Sequence, residues 1–125
     1  MKQTPSDIRL HQKSRMLEVT FGEECFQLPC EYLRVHSPSA EVKGHGPGQE
    51  VLQTGKEEVN IVAIEPVGHY AVRLIFSDAH NTGIYSWDVL YVLGQQRQKL
   101  WQEYLQRLTD AGVERSAQEN DKFLN

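Results

Sequence analysis

Two cysteines and two histidines are the residues of this chain whose types suit metal chemistry: Cys25, Cys30, His36 and His80. Thiolate and imidazole groups are the usual zinc ligands, and the four residues between the two cysteines lie at the edge of the spacing seen in zinc sites. These four side chains could therefore bind zinc or iron. The alternative is a pair of buried thiols, which pack as small hydrophobic groups.

Motifs for catalysis are absent from the sequence. None of the histidines begins a His-x-Asp or His-x-Glu pair, which would supply part of an oxygenase iron site, and no Gly-x-Ser-x-Gly elbow occurs. The run Gly44-His45-Gly46-Pro47-Gly48 is rich in glycine, but Gly55-Lys56 is followed by Glu57 where a phosphate-binding loop needs Ser or Thr. We therefore predict that the protein is not an enzyme, and that this run is an exposed loop.

Composition places further limits on function. The 125 residues suit one domain, and a formal net charge of −4 with interspersed signs argues against nucleic-acid binding. No apolar stretch is long enough to span a bilayer, and the N-terminus leads into polar residues rather than a signal peptide. We expect a cytoplasmic protein with reduced thiols that binds neither nucleic acid nor membrane.

The pattern of apolar residues predicts an α+β fold: a small twisted antiparallel sheet with a short helix and C-terminal helices packed on it. A meander near residues 8–21 comes first, and Pro29 starts the short helix. An irregular loop is predicted over residues 37–57, and strands over 59–64 and 70–76 form a central hairpin whose turn is residues 66–69.

The C-terminal half is predicted to be helical. Ser86 is placed to cap a helix that Gly94 interrupts, and a second helical run with one apolar face ends near Gly112. A single domain is therefore predicted over residues 1–112, with a polar tail over 113–125 in which Phe123 and Leu124 could dock on a partner.

Two segments resemble a known family. They are residues 28–42, LPCEYLRVHSPSAEV, and residues 76–91, FSDAHNTGIYSWDVLY. Both are similar to the small domain found at the N-terminus of gamma-butyrobetaine hydroxylase, which also exists as short free-standing bacterial proteins of the DUF971 type. In that family a pattern of three cysteines and a distant histidine holds a structural zinc ion. Here Ser37, Ser39 and Val42 occupy the cysteine positions, and His80 alone remains.

A serine hydroxyl stays protonated near neutral pH and valine has no lone pair, so we expect no cofactor at this position. Hydrogen bonding at Ser37-Pro38-Ser39 could compensate, with His80 bonded to nearby backbone or to Asp78. Zinc or iron stays possible only through a relocated site of Cys25, Cys30, His36 and His80.

The resemblance implies a module that docks onto another protein. Similar domains are attached to the oxygenase and, in some chains, to Mrp-like P-loop ATPases that carry iron–sulfur clusters, so the implied partner is a metalloprotein or its maturation machinery. The candidate contact residues are Tyr85, Trp87 and His45, although the two aromatic residues also suit a core that seats helices on a sheet. A metal-binding protein is the alternative function.

Overall fold

Residues 3–116, the part that the computed structural model describes, fold into two three-stranded antiparallel sheets and four helices. The first sheet contains β1 (Asp7–His11), β2 (Met16–Phe21) and β3 (Glu24–Pro29), and the second contains β4 (Ile61–Val67), β5 (Ala71–Phe76) and β6 (Ile84–Ser86). The helices are α1 (Cys30–Val35), α2 (Ala40–Lys43), α3 (Trp87–Gln95) and α4 (Arg97–Asp110). The predicted α+β class is confirmed, although the strands form two sheets rather than one.

The core lies between the two sheets and surrounds α1. Alternate residues of β2 and β5 enter it, so that Leu17 and Val19 of β2 and Leu74 of β5 are fully buried. Two phenol groups connect this core to the helices: the Tyr32 hydroxyl donates to the Leu93 carbonyl at 2.7 Å, and the Tyr85 hydroxyl donates to the Leu33 carbonyl. The short helix α1 is therefore fixed from both sides.

The central hairpin forms as predicted, but its turn lies further along the chain. Pro66 and Val67, predicted to be in the turn, belong to β4 and pair with Val72 and Ala71. Pro66 is tolerated because β4 is an edge strand, where a missing backbone N–H costs no ladder bond.

The helix after β6 begins as predicted, because the Ser86 hydroxyl accepts a hydrogen bond from the Val89 amide at 3.1 Å. The prediction that Gly94 interrupts it is wrong: α3 continues to Gln95, and the break falls at Gln96. A Cβ atom at position 94 would lie 2.4 Å from the Phe26 ring, so this glycine serves close packing between α3 and β3.

The segment predicted as an irregular loop contains the short helix α2, which Ser39 caps through the Glu41 amide. Beyond α4, contacts continue past Gly112, because the Arg115 guanidinium pairs with Glu31 and the Ser116 amide donates to Glu57. The predicted docking residues Phe123 and Leu124 lie outside the described residues.

Candidate functional site

Five polar side chains from three separate segments meet beside the second sheet, and we call them the His80 cluster. His80 and Thr82 lie between β5 and β6, Ser37 and Ser39 lie between α1 and α2, and Glu41 is in the first turn of α2. The imidazole joins the segments: its Nε2 atom is 2.9 Å from Ser37 Oγ, and its Nδ1 atom is 3.0 Å from Glu41 Oε1. A hydrogen bond of 2.7 Å between the Ser39 and Thr82 hydroxyls closes the cluster.

The partners of His80 define where its proton lies. A carboxylate can only accept, so Nδ1 carries a proton toward Glu41. In a neutral ring the other nitrogen, Nε2, is then the acceptor of the Ser37 hydroxyl. The Ser39 amide in turn donates to Ser37 Oγ at 3.2 Å. Burial, followed by the charge of Arg34, lowers the pKa of His80 below its ordinary value, although Glu41 opposes this shift. This shift favours the neutral form of the imidazole.

In the turn after β5, the carboxylate of Asp78 binds the backbone of His80 and two cationic side chains. Asp78 accepts from the His80 amide at 3.3 Å, and its carboxylate also receives the Arg34 guanidinium at 2.9 Å and the Lys56 ammonium at 2.7 Å. Burial acts to raise the pKa of Asp78, but Lys56, Arg34 and the His80 amide together outweigh it, so that this pKa is lowered. Gly83 lets the Ser37 side chain lie close to the backbone before β6, because a Cβ atom at position 83 would lie 2.4 Å from Ser37 Oγ.

The order hydroxyl, imidazole, carboxylate is that of an acyl-transfer triad, but the surroundings of Ser37 differ from those of an accessible nucleophile. Ser37 is 0% exposed, and the Ser39 amide already donates to its oxygen. An attacking oxygen must approach a substrate carbonyl to about 3 Å, and an enclosed hydroxyl leaves no room for it. The cluster therefore joins three segments through hydrogen bonds, and its Ser37 hydroxyl is enclosed in this structure.

The four predicted metal ligands have separate surroundings. Cys25 is exposed on β3, whereas Cys30 is buried with its sulfur 3.7 Å from Asn60 Oδ1. The His36 Nδ1 atom bonds to the Tyr32 carbonyl at 2.9 Å, and His80 bonds to the cluster. Within residues 3–116 no three His, Cys, Asp or Glu side chains converge as metal ligands.

The donor chemistry does not fit zinc at the family position either. Ser37 and Ser39 bring hydroxyl groups that are engaged in hydrogen bonds, and Val42 is buried and apolar. Burial raises the pKa of the Cys30 thiol to about 11, so without a bound ion this side chain is a protonated, buried thiol.

The predicted contact residues differ in accessibility. Tyr85 is fully buried, so it supports the core and offers no surface to a partner. Trp87 is half-buried and its indole N–H donates to the His69 carbonyl at 2.7 Å. His45 is exposed, in the segment that follows α2.

That segment, loop 44–51, has a defined shape. The Val51 amide donates to the Val42 carbonyl at 2.8 Å and so closes the loop onto α2. Gly44 has a φ of +74°, and a Cβ atom there would lie 2.1 Å from the Gln49 carbonyl oxygen, so only glycine fits. His45 and Val51 of this loop are both exposed, and the exposed fraction of Val51 is 52%.

Sequence reasoning missed Glu41 as the partner of His80. The cap at Ser39 and an acidic residue in the first helical turn were readable as a helix start. The pairing itself joins residues 39 positions apart, and no local pattern encodes it.

Among residues 3–116, none of the helices is both long and apolar enough to cross a membrane. A family model described as gamma-butyrobetaine hydroxylase-like, N-terminal, matches residues 8–91. No curated protein is detectably similar to the chain.

The solved structures that are similar to this chain include three that match over most of their own lengths. One is an NMR solution structure of a protein with 47% identity and a TM-score of 0.82, and the match covers 95% of this chain and 94% of that one. Another NMR solution structure has 52% identity and a TM-score of 0.78, and the match covers 90% of this chain and 85% of that one. The third is a crystal structure of an Acidithiobacillus ferrooxidans protein of unknown function from the DUF971 family. It is 42% identical with a TM-score of 0.61, covering 73% of this chain and 92% of its own.

Proposed function

The chain belongs to the family of gamma-butyrobetaine hydroxylase-like N-terminal domains, and from that premise we propose that it is a non-catalytic module that binds another protein. The observation that carries this proposal is the closed state of the His80 cluster. Ser37 is fully enclosed, and both ring nitrogens of His80 are engaged by groups of the same chain. A site with its reactive groups enclosed and paired suits a structural role, which leaves the surface to provide function.

The cluster supports a particular part of that surface. Glu41 belongs to α2, and His80 follows β5, so their hydrogen bond fixes α2 against the second sheet. Loop 44–51 continues from α2 and is closed by the bond between Val51 and Val42. We infer that the cluster orients this loop, and that His45 and Val51 contact the partner. An ordered loop binds with less loss of conformational entropy than a mobile one.

The partner that we propose is a metalloprotein or a component of its maturation machinery. The support for this is the resemblance to domains attached to an oxygenase and to ATPases that carry iron–sulfur clusters. Similarity of fold is an argument by analogy, and a binding measurement has to carry the assignment.

Quantitative affinity capture from native lysate, followed by mass spectrometry, tests the proposal. Wild-type protein is compared with a loop variant, His45→Ala with Val51→Asp, and with Val92→Asp, which alters an equally apolar residue on α3 that is 45% exposed. We expect a specific protein that is recovered by wild type and Val92→Asp and lost with the loop variant. Its affinity for the purified chain is then measured by calorimetry. Recovery of no specific protein, or equal recovery with the loop variant, contradicts the proposal.

Metal binding through Cys25, Cys30, His36 and His80 is the competing function, and the separate surroundings of these residues give it no support. Elemental analysis of protein purified without a histidine tag distinguishes the two. Stoichiometric zinc or iron that is lost in Cys30→Ser would favour the metal site over the interaction module.

A further inference from the structure

The outer face of the second sheet carries a small apolar surface around one ion pair. Because side chains alternate along a strand, residues paired with Arg73 of β5 share its face, whereas Val72, Leu74 and Phe76 point into the core. The register gives three neighbouring rows on this outer face: Ala63 with Ile75, then Glu65 with Arg73 and Ile84, then Val67 with Ala71 and Ser86.

The middle row is the accessible one. The Arg73 and Glu65 side chains are 45% and 51% exposed and form an ion pair with an Nη2–Oε1 distance of 2.9 Å. Ile84 in the same row is 45% exposed. Val62, at the irregularity in β4 next to Ala63, is 53% exposed. These two exposed aliphatic side chains belong to the outer strands β4 and β6, on either side of β5.

We propose that this face is the contact of a symmetric dimer of the chain. A two-fold contact brings the same patch of both copies together, so it must be self-complementary. One base beside one acid in the middle row meets this condition, because rotation by half a turn brings Arg73 of each copy opposite Glu65 of the other. The aliphatic residues around the pair then pack on their counterparts.

A contact through the face also fits the edges of the sheet better than pairing of strands. β4 is an edge strand that contains Pro66, which lacks an amide donor, and β6 has only three residues. Both features disfavour the addition of a strand from a second copy. The packing of two sheet faces needs no free backbone groups.

The size of the patch sets the expected strength. Ala71 is fully buried, so the patch comprises seven residues per copy in the three rows, compared with roughly 20–30 in a stable interface of standard size. We therefore expect a weak, concentration-dependent dimer with a dissociation constant on the order of 100 µM. The inference is independent of the proposed function, because loop 44–51 is not part of this face.

Sedimentation velocity of the full chain, from about 10 µM to 1 mM, tests the dimer. Arg73→Glu leaves two acids in the middle row and Glu65→Arg leaves two bases, so each variant alone should associate at least tenfold more weakly than wild type, a change of about 1.4 kcal/mol. An equimolar mixture of the two restores opposite charges across the two-fold axis and should recover association as a heterodimer. Arg9→Glu is the matched control, because it breaks an exposed pair with Asp7 on β1 and should leave association unchanged.

Thermal unfolding of each variant, followed by circular dichroism, establishes that the fold is intact. Wild-type protein that stays monomeric at about 1 mM overturns the inference. So does a dimer that Arg73→Glu leaves unaffected, or a mixture of the two charge variants that associates no better than either alone. Ile84→Asp gives a second perturbation that does not depend on the ion pair, and undiminished association of this variant also contradicts the proposed face.

Discussion

Replacement of Ser37 and His80 by alanine, singly and together, measures how strongly the His80 cluster holds the fold. Ser37→Ala removes a hydroxyl that is 0% exposed, and it leaves the Nε2 atom of His80 and the amide of Ser39 without that partner. An unsatisfied buried polar group costs about 1–3 kcal/mol, so we expect the free energy of unfolding to fall by about 2–4 kcal/mol.

His80→Ala acts on the same interaction from the other side. It removes the acceptor of the Ser37 hydroxyl and leaves a void next to Phe76, whose ring centroid lies 5.9 Å from that of His80. Since Glu41 is largely exposed, water replaces its lost bond, and the expected cost is about 2–4 kcal/mol from the buried hydroxyl and the void. In the double variant the shared hydrogen bond is lost only once, so the two effects should fall short of additivity by about 1 kcal/mol or more.

Urea unfolding followed by tryptophan fluorescence gives these free energies. The control cycle pairs Ser37→Ala with Ser86→Ala, whose cap bond to Val89 shares no partner with the cluster, and we expect additivity there within about 0.5 kcal/mol. Additivity within the same margin for Ser37 and His80, or a negligible cost of Ser37→Ala, would refute the reasoning.

Three further predictions follow from packing, burial and charge. Gly94→Ala should destabilise the fold by about 1–3 kcal/mol through overpacking, whereas Gly46→Ala, with open space around it, should have little effect in the same urea assay. Iodoacetamide should alkylate Cys25 rapidly and Cys30 only on unfolding, and mass spectrometry of timed samples that finds equal rates would contradict the burial of Cys30. Folding lowers the pKa of His80, so the unfolded chain binds more protons than the folded chain below about pH 6.5. The free energy of unfolding should therefore fall on acidification, and it should fall less in His80→Gln. An unchanged pH dependence in that variant would contradict this prediction.

The parts of the fold that could be predicted from the sequence are encoded locally. The central hairpin follows from consecutive β-branched and aromatic residues, and Ser86 is followed by a helical pattern that it can cap. Both depend on neighbours a few residues away, so single-sequence reasoning finds them.

The features that were missed depend on contacts between distant segments. Gly94 is a helix breaker by intrinsic propensity, yet it lies inside α3 because Phe26 of β3 needs the space. Pro66 is typical of a turn, and only the position of β4 at the sheet edge makes it acceptable within the strand.

The candidate site divides in the same way. The loss of the family cysteines at Ser37 and Ser39 is readable in the sequence, and so is the survival of His80. The hydrogen bond between His80 and Glu41 is not readable, since it requires the turn after β5 to meet α2. Residues of the candidate site can therefore be named from the sequence, whereas their hydrogen-bond partners depend on tertiary structure.

Long-range ¹H–¹⁵N NMR correlation of the His80 ring is the most direct test of the claim that hydrogen bonds hold this site. The spectrum reports the protonation of each ring nitrogen, and its pH dependence reports the pKa. We predict a neutral ring with the proton on Nδ1, an unprotonated Nε2, and a pKa below the ordinary value of 6.5. A ring with metal-coordination shifts that a chelator abolishes, or one that titrates at or above that ordinary pKa, would contradict the account.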